Sequence, residues 1–385
     1  MNGSKRILAA AAPSGLLAAN AAYAAEGASN ASAAMPWYTW TLLLACAVCA
    51  ALTVWYWSLP NRKEARRLKA AALLAGTAAV LMGAFNASGM WETEQKSQSI
   101  NLVQVYGMEY RQQDDGQIMV ATHEGIQWFD TGSLSWKPGV GERHDYIAFA
   151  PFEGGFYGSG RPGPGSKLLN PLGLVKSTDE GKTIEVLDLG GKASFTLMAA
   201  SYRKPILYGY MNEPNEAFRQ PGLYYTPDEG KNWTRCAMNG FAGDPTALAV
   251  DPDNSDLVAI GTRDGLFLSR NKGESFVELL PDTGISALVF DRDGRMAVGG
   301  FKVKPSLLQL DRDGALIEEI PLPELKEDAI AHIAHNPEKP AERIISTYEH
   351  DVYFTSDGGS TWHQVAAGGK TKPEPEVAPR EGKKS

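Results

Sequence analysis

Thr226–Trp233 reads TPDEGKNW, and closely related strings recur at 177–184 (STDEGKTI), 269–276 (SRNKGESF) and 355–362 (TSDGGSTW). Each holds an acidic or amide residue two places after a hydroxyl and two places before a glycine: Asp179 with Gly181, Asp228 with Gly230, Asn271 with Gly273, and Asp357 with Gly359. Trp233 and Trp362 close two of the four. A carboxylate repeated at one spacing invites an acid–base reading. The pattern suits a turn better: the carboxylate accepts from backbone N–H groups of its own loop, and the glycine supplies a positive φ. A chemical step needs one site, whereas this motif returns in every unit.

The intervals give the architecture. The strings begin 49, 43 and 86 residues apart, and the last interval is twice 43. A degenerate copy, DRDGALIEE (311–319), fills the gap, and FDTGSLSW (129–136) lies one period before the first string. Each unit holds four short apolar or alternating runs, clearest in TALAVDP, LVAIGT, GLFLSR and ESFVELL (246–280). Six units of 43–49 residues, four strands each, predict an all-β, six-bladed β-propeller over residues 99–366. A seventh blade is the alternative if residues 92–101 add strands. No stretch after residue 95 has the period of an amphipathic helix.

The N-terminal quarter differs. Residues 1–25 carry Lys5 and Arg6, an Ala/Leu stretch and Ala22-Tyr23-Ala24, which reads as a signal peptide or an extra membrane segment. Residues 37–59 are uncharged, long enough to cross a bilayer, and flanked by Trp37, Tyr38 and Trp40 on one side and Trp55, Tyr56 and Trp57 on the other. Residues 70–91 form a second such stretch. The connector at 60–69 carries net charge +4, so it is expected in the cytoplasm and the propeller outside it. Residues 367–385 are rich in Pro, Lys and Glu and read as a disordered tail.

Charge and cysteine narrow the partners. A net charge of −8 and a pI near 5.4 argue against a nucleic-acid partner, which would need a basic face. Cys46 and Cys49 fall in the first membrane stretch, and Cys236 stands alone, so the propeller has no internal disulfide. No cofactor motif is present: GSGRPGPGS (158–166) lacks the lysine order of a phosphate loop.

Propeller ligands sit over the axis, on the face made by second-to-third strand loops and inter-blade connections. That face is predicted to carry His123, Glu124, Arg143, His144, Arg161, Asn212, Asn215, Arg219, Arg263 and His350 as ligand-binding residues. Its longest loops belong to blades two and three. Glycoside hydrolysis would need two carboxylates about 5–9 Å apart, and Asp145, Glu213 and Glu349 are the candidates. His123, His144 and Asp145 have no metal-ligand spacing, and His332 and His335 point to opposite sides of one strand, so no metal is expected.

Longer stretches carry a family resemblance. VATHEGI (120–126), RHDYIAF (143–149), GSGRPGPGS, NPLGLVKSTDEGKT (170–183) and PGLYYTPDEGKNW (221–233) resemble a bacterial exported Asp-box (BNR, sortilin-like) β-propeller family commonly labelled "glycosyl hydrolase". More distantly the repeat is similar to those of sialidases, sortilin and photosystem II assembly propellers. The resemblance implies a surface role for the repeated Asp, and a membrane-anchored or exported protein. It departs at 104–107, where Gln-Val-Tyr-Gly stands in place of the family's His-x-His-Gly. A sialidase's arginine triad and Tyr–Glu pair are not recognisable. The expected role is recognition or assembly of an unidentified glycan or protein ligand at the outer face of a bacterial membrane, with an exported glycoside hydrolase as the alternative.

Overall fold

Six four-stranded antiparallel sheets follow one another along the chain, at residues 105–138, 145–188, 197–235, 245–281, 284–320 and 330–367. The computed structural model describes residues 99–102, 104–111 and 116–371. The predicted leader, both hydrophobic stretches, their basic connector and the tail beyond Thr371 lie outside the described residues. Among the described residues no helix is long and apolar enough to cross a membrane.

The first strands are Val105–Tyr110, Asp145–Phe152, Leu197–Ala200, Pro245–Val250, Gly284–Phe290 and Ile330–His335. Each touches the first strand of the blade before and after it, and the sixth touches the first, so the ring closes with six blades. The protein is therefore a six-bladed β-propeller. Residues 99–101 build no seventh blade. They pair instead with the far end of the chain: Leu102 N donates to Gly369 O (2.6 Å), Thr371 N to Ile100 O (3.2 Å) and Ile100 N to the Thr371 hydroxyl (2.7 Å). Lys370–Thr371 thereby becomes a fifth strand of blade six, and ordered pairing runs past the expected boundary at 366.

The core is divided into six wedges, one between each pair of neighbouring blades. Leu257 and Ala259 of blade four pack against Ile285, Phe290 and Met296 of blade five. Val258 and Ile260, alternating with them, pack on Tyr208 and Leu223 of blade three. A strand covered on both faces must be apolar at successive positions, which is why these runs lack alternation.

The recurring turns sit between third and fourth strands and share one hydrogen-bond set. In blade three the Thr226 hydroxyl donates to Asp228 Oδ1 (2.8 Å) and accepts from Gly230 N (2.9 Å), while Asp228 accepts from Asn232 N (2.8 Å) and Nδ2 (2.6 Å). Blades two, four and six repeat it through Asp179, Asn271 and Asp357. The glycine has two reasons to be glycine. At Gly230 φ is +90°, and a Cβ there would meet Leu174 of the preceding blade at 2.9 Å. Trp362 reaches the same way, its Nε1 donating to Pro321 O of blade five at 2.8 Å, whereas Trp233 stacks on Phe195 and Phe218 of its own blade.

Candidate functional site

The loop face is built from short turns on buried hydroxyls. Thr122 accepts from Glu124 N (3.1 Å) and donates to Gly125 O (2.7 Å), which leaves His123 and Glu124 exposed at the tip. Thr262 does the same in blade four and presents Arg263 and Asp264. In blade six the turn widens: Asp351 N donates to the Thr347 hydroxyl (3.1 Å), His350 takes a φ of +65°, and Tyr348 and Glu349 are exposed.

Several predicted residues meet at the joint between blades one and two. His123 Nδ1 lies 3.2 Å from Asp145 Oδ1, and Arg143 Nη1 lies 3.8 Å from Glu124 Oε2. Asp145 is buried, and its Oδ1 has no well-aligned hydrogen bond. Arg161 faces Asp145 across the first two strands of blade two. Burial, reinforced by the charge and hydrogen bond of Asp145, pushes the Tyr106 phenol up to about 12. His144 is buried: its Nδ1 accepts from Gly163 N (3.1 Å), and its Nε2 lies 3.4 Å from Glu142 Oε2. Burial lowers its pKa, with Glu142 opposing. His144 thus fastens the long loop of blade two, a positioning task.

The rest of the predicted set is spread around the ring. Asn212, Glu213 and Arg219 are exposed on the blade-three loop. Asn215 is committed to that loop's own shape, its Oδ1 accepting from Ala217 N (3.0 Å) and Phe218 N (2.9 Å), while buried Phe218 anchors the loop on Phe195 and Tyr224. Glu213 belongs to blade three and Glu349 to blade six, opposite positions in a six-blade ring, so these two do not flank one bond. Among the described residues, no three His, Cys, Asp or Glu side chains converge as a metal set.

The first strands enclose an axial channel with a cavity volume of about 460 Å³, within the range of small-ligand sites. Its wall is mostly alanine, glycine and aliphatic residues, and Glu109 is its single carboxylate among the described residues. One side-chain bridge crosses the channel near the end that bears the recurring turns. Arg292 of blade five donates through Nη2 to the Tyr202 hydroxyl of blade three (3.2 Å), stacks over that ring, and pairs through Nη1 with Glu338 of blade six (3.1 Å). The loop-face end carries Tyr106 and Tyr348, with Thr196, Thr246 and Ser286 on other blades.

Burial dominates the ionisation of this channel. It pushes Glu109 up to about 7, with Arg292 opposing. It holds His332 down to about 4 against a hydrogen bond to the Val105 backbone. His335 is held to about 4 by burial, against Asp291 and with Arg343, Arg295 and Arg292 adding to the effect. His332 faces blade one and His335 faces blade five, so they share no ligand. Glu109, Tyr202 and Arg292 escaped the sequence reading. Their one signal was a polar residue inside an apolar first strand or just past its end, as in VYGMEY.

No protein-family model matches the chain, and no curated protein does. Solved structures do. The GH74 xyloglucanase from Xanthomonas campestris is 16% identical with a TM-score of 0.46, the match covering 71% of this chain and 46% of that one. YCF48 bound to a D1 peptide is 17% identical with a TM-score of 0.42, over 69% of this chain and 84% of that one. YCF48 from Cyanidioschyzon merolae is 12% identical with a TM-score of 0.43, over 69% and 87%. The chain spans about half the length of the xyloglucanase. The similar structures thus include a glycoside hydrolase and a protein seen with a bound peptide.

Proposed function

We propose that this chain is a membrane-anchored recognition propeller, held by the hydrophobic stretches at 37–59 and 70–91 and displayed outside the cytoplasm of a bacterium. Its loop face takes the ligand, a protein partner in assembly or a surface glycan. The observation that carries this reading is the distribution of carboxylates. Among the described residues the channel offers Glu109 as its one carboxylate, and Asp145, Glu213 and Glu349 stand on blades two, three and six. Hydrolysis of a glycosidic bond requires two carboxylates placed about one bond. Binding requires only complementary surface, and the loop face supplies exposed Leu169, Phe301, Val303 and Tyr348 beside Arg143, Arg263, Lys302 and Lys304.

One observation favours an exported glycoside hydrolase instead. Glu109 stays protonated up to about pH 7, as a general acid would. Incubation of the protein with envelope and host glycans, with released sugars followed by mass spectrometry, separates the two. A recognition propeller releases nothing. Release that Glu109→Gln abolishes would overturn the binding reading.

A further inference from the structure

Glu109 precedes the last residue of its first strand, whereas Tyr202 and Arg292 stand two residues past the ends of theirs. It therefore sits on the loop-face side of the bridge that crosses the axial channel. Among the described residues no group hydrogen-bonds or ion-pairs with its carboxylate. The one charge acting on it is Arg292, which is committed to Glu338 and Tyr202. His332 and His335 line the channel from blade six, and Tyr110 and Tyr202 complete its titratable surroundings. Burial holds both imidazoles down to about 4, so neither supplies a counter-charge near neutral pH.

The wall around this carboxylate is rich in acceptors. Each first strand pairs on one side only, with the second strand of its own blade. The other edge of all six faces the axis and leaves backbone groups unpaired there. Nearer the loop face, the hydroxyls of Thr196, Thr246 and Ser286 already donate to Tyr210 O, Ile285 O and Gly299 O, which leaves their lone pairs free. A cavity of about 460 Å³ thus joins one unmatched negative charge to carbonyl and hydroxyl oxygens. Its complement is a cation that donates several hydrogen bonds from one small head. A primary ammonium has three donors and no acceptor.

We propose that the axial channel binds a small primary amine entering from the loop-face end, its ammonium on Glu109 with backbone carbonyls of the first strands around it. The site goes beyond the recognition reading and does not depend on it. Binding is linked to ionisation. Alone, Glu109 keeps its proton to about pH 7, and the ammonium pairs with the carboxylate, so affinity rises with pH through that value. Roughly a tenth of the groups are ionised at about pH 6 and about nine-tenths at about pH 8, a difference of about tenfold in apparent affinity.

The test uses the full chain in a non-ionic detergent, titrated at constant ionic strength with n-butylamine while thermal unfolding is followed. Butyrate and n-butyltrimethylammonium, which carries the charge without N–H donors, are titrated in parallel. Butylamine should raise Tm saturably, and the other two should not. Its apparent affinity should fall by about tenfold between about pH 8 and about pH 6. Glu109→Gln should abolish the butylamine response at about pH 8 while the ligand-free Tm stays at or above that of the parent. If that variant does not fold, the pH dependence of the parent decides alone. No saturable butylamine response, an equal response to butyltrimethylammonium or butyrate, an affinity that does not change with pH, or a response that survives Glu109→Gln would overturn the proposal.

Discussion

The imidazole of His123 and the carboxylate of Asp145 meet across the joint between blades one and two, Nδ1 to Oδ1 at 3.2 Å, with the acid buried and the histidine exposed. The pair belongs to the wall between two blades, and the Arg143–Glu124 pair lies at the same joint. Asp145→Asn is accordingly expected to cost at most about 1 kcal/mol, since one partner is solvated. Urea unfolding of the variant and the parent checks this.

The recurring turns make an ordering prediction. Blade four uses Asn271 where the other three use Asp, with the same backbone acceptor geometry. Asp228→Asn should therefore shift the unfolding midpoint little. Thr226→Val should cost about 1–3 kcal/mol, because it leaves the buried N–H of Gly230 without an acceptor. Thermal unfolding of both variants tests the order, and a larger loss for Asp228→Asn would contradict it.

That much was legible in the sequence because it is local. A turn's hydroxyl, carboxylate and glycine lie within five residues, and their period reports the blade. The loop-face joint was legible too, since the strand count places His123, Arg143 and Asp145 on one side. The channel was not. Tyr202 and Arg292 are 90 residues apart and meet only because blades three and five both border the channel once the ring closes. Glu109 looks like an ordinary solvent-facing strand residue until five other blades surround it. The closing pair of segments, 100–102 with 369–371, was hidden by composition, because Gly, Lys and Thr read as tail.

Acidity should act on the channel in two directions. Between about pH 4 and 6.5 the unfolded chain binds protons on His332 and His335 that the fold rejects, so these groups make stability rise with pH. Glu109 keeps its proton in the fold from about 4.5 to 7 and gives the opposite slope, one group against two. Net stability from these three groups rises toward pH 6.5. Glu109→Gln removes the opposing contribution and should stabilise the protein by about 3 kcal/mol at about pH 8, with little effect near pH 5. Urea midpoints at the two pH values decide it.

Ring closure predicts a cooperative effect. Deleting residues 369–385 removes the acceptor of Leu102 N and both bonds between Ile100 and Thr371. The expected result is a lower Tm with the loss of protection concentrated in amide exchange of blades one and six. Uniform loss across all six blades would mean that the closing pair does not act locally.

The measurement that bears most directly on function is site-specific photo-crosslinking in cells that produce the full chain. A photoreactive residue is placed at Leu169, Val303 or Tyr348 on the loop face, and at Val277 or Asp313 away from it. A recognition face at the loop end predicts one discrete crosslinked species from the first three positions and none from the other two. Crosslinks from Val277 or Asp313 alone, or equal labelling from all five, would contradict it.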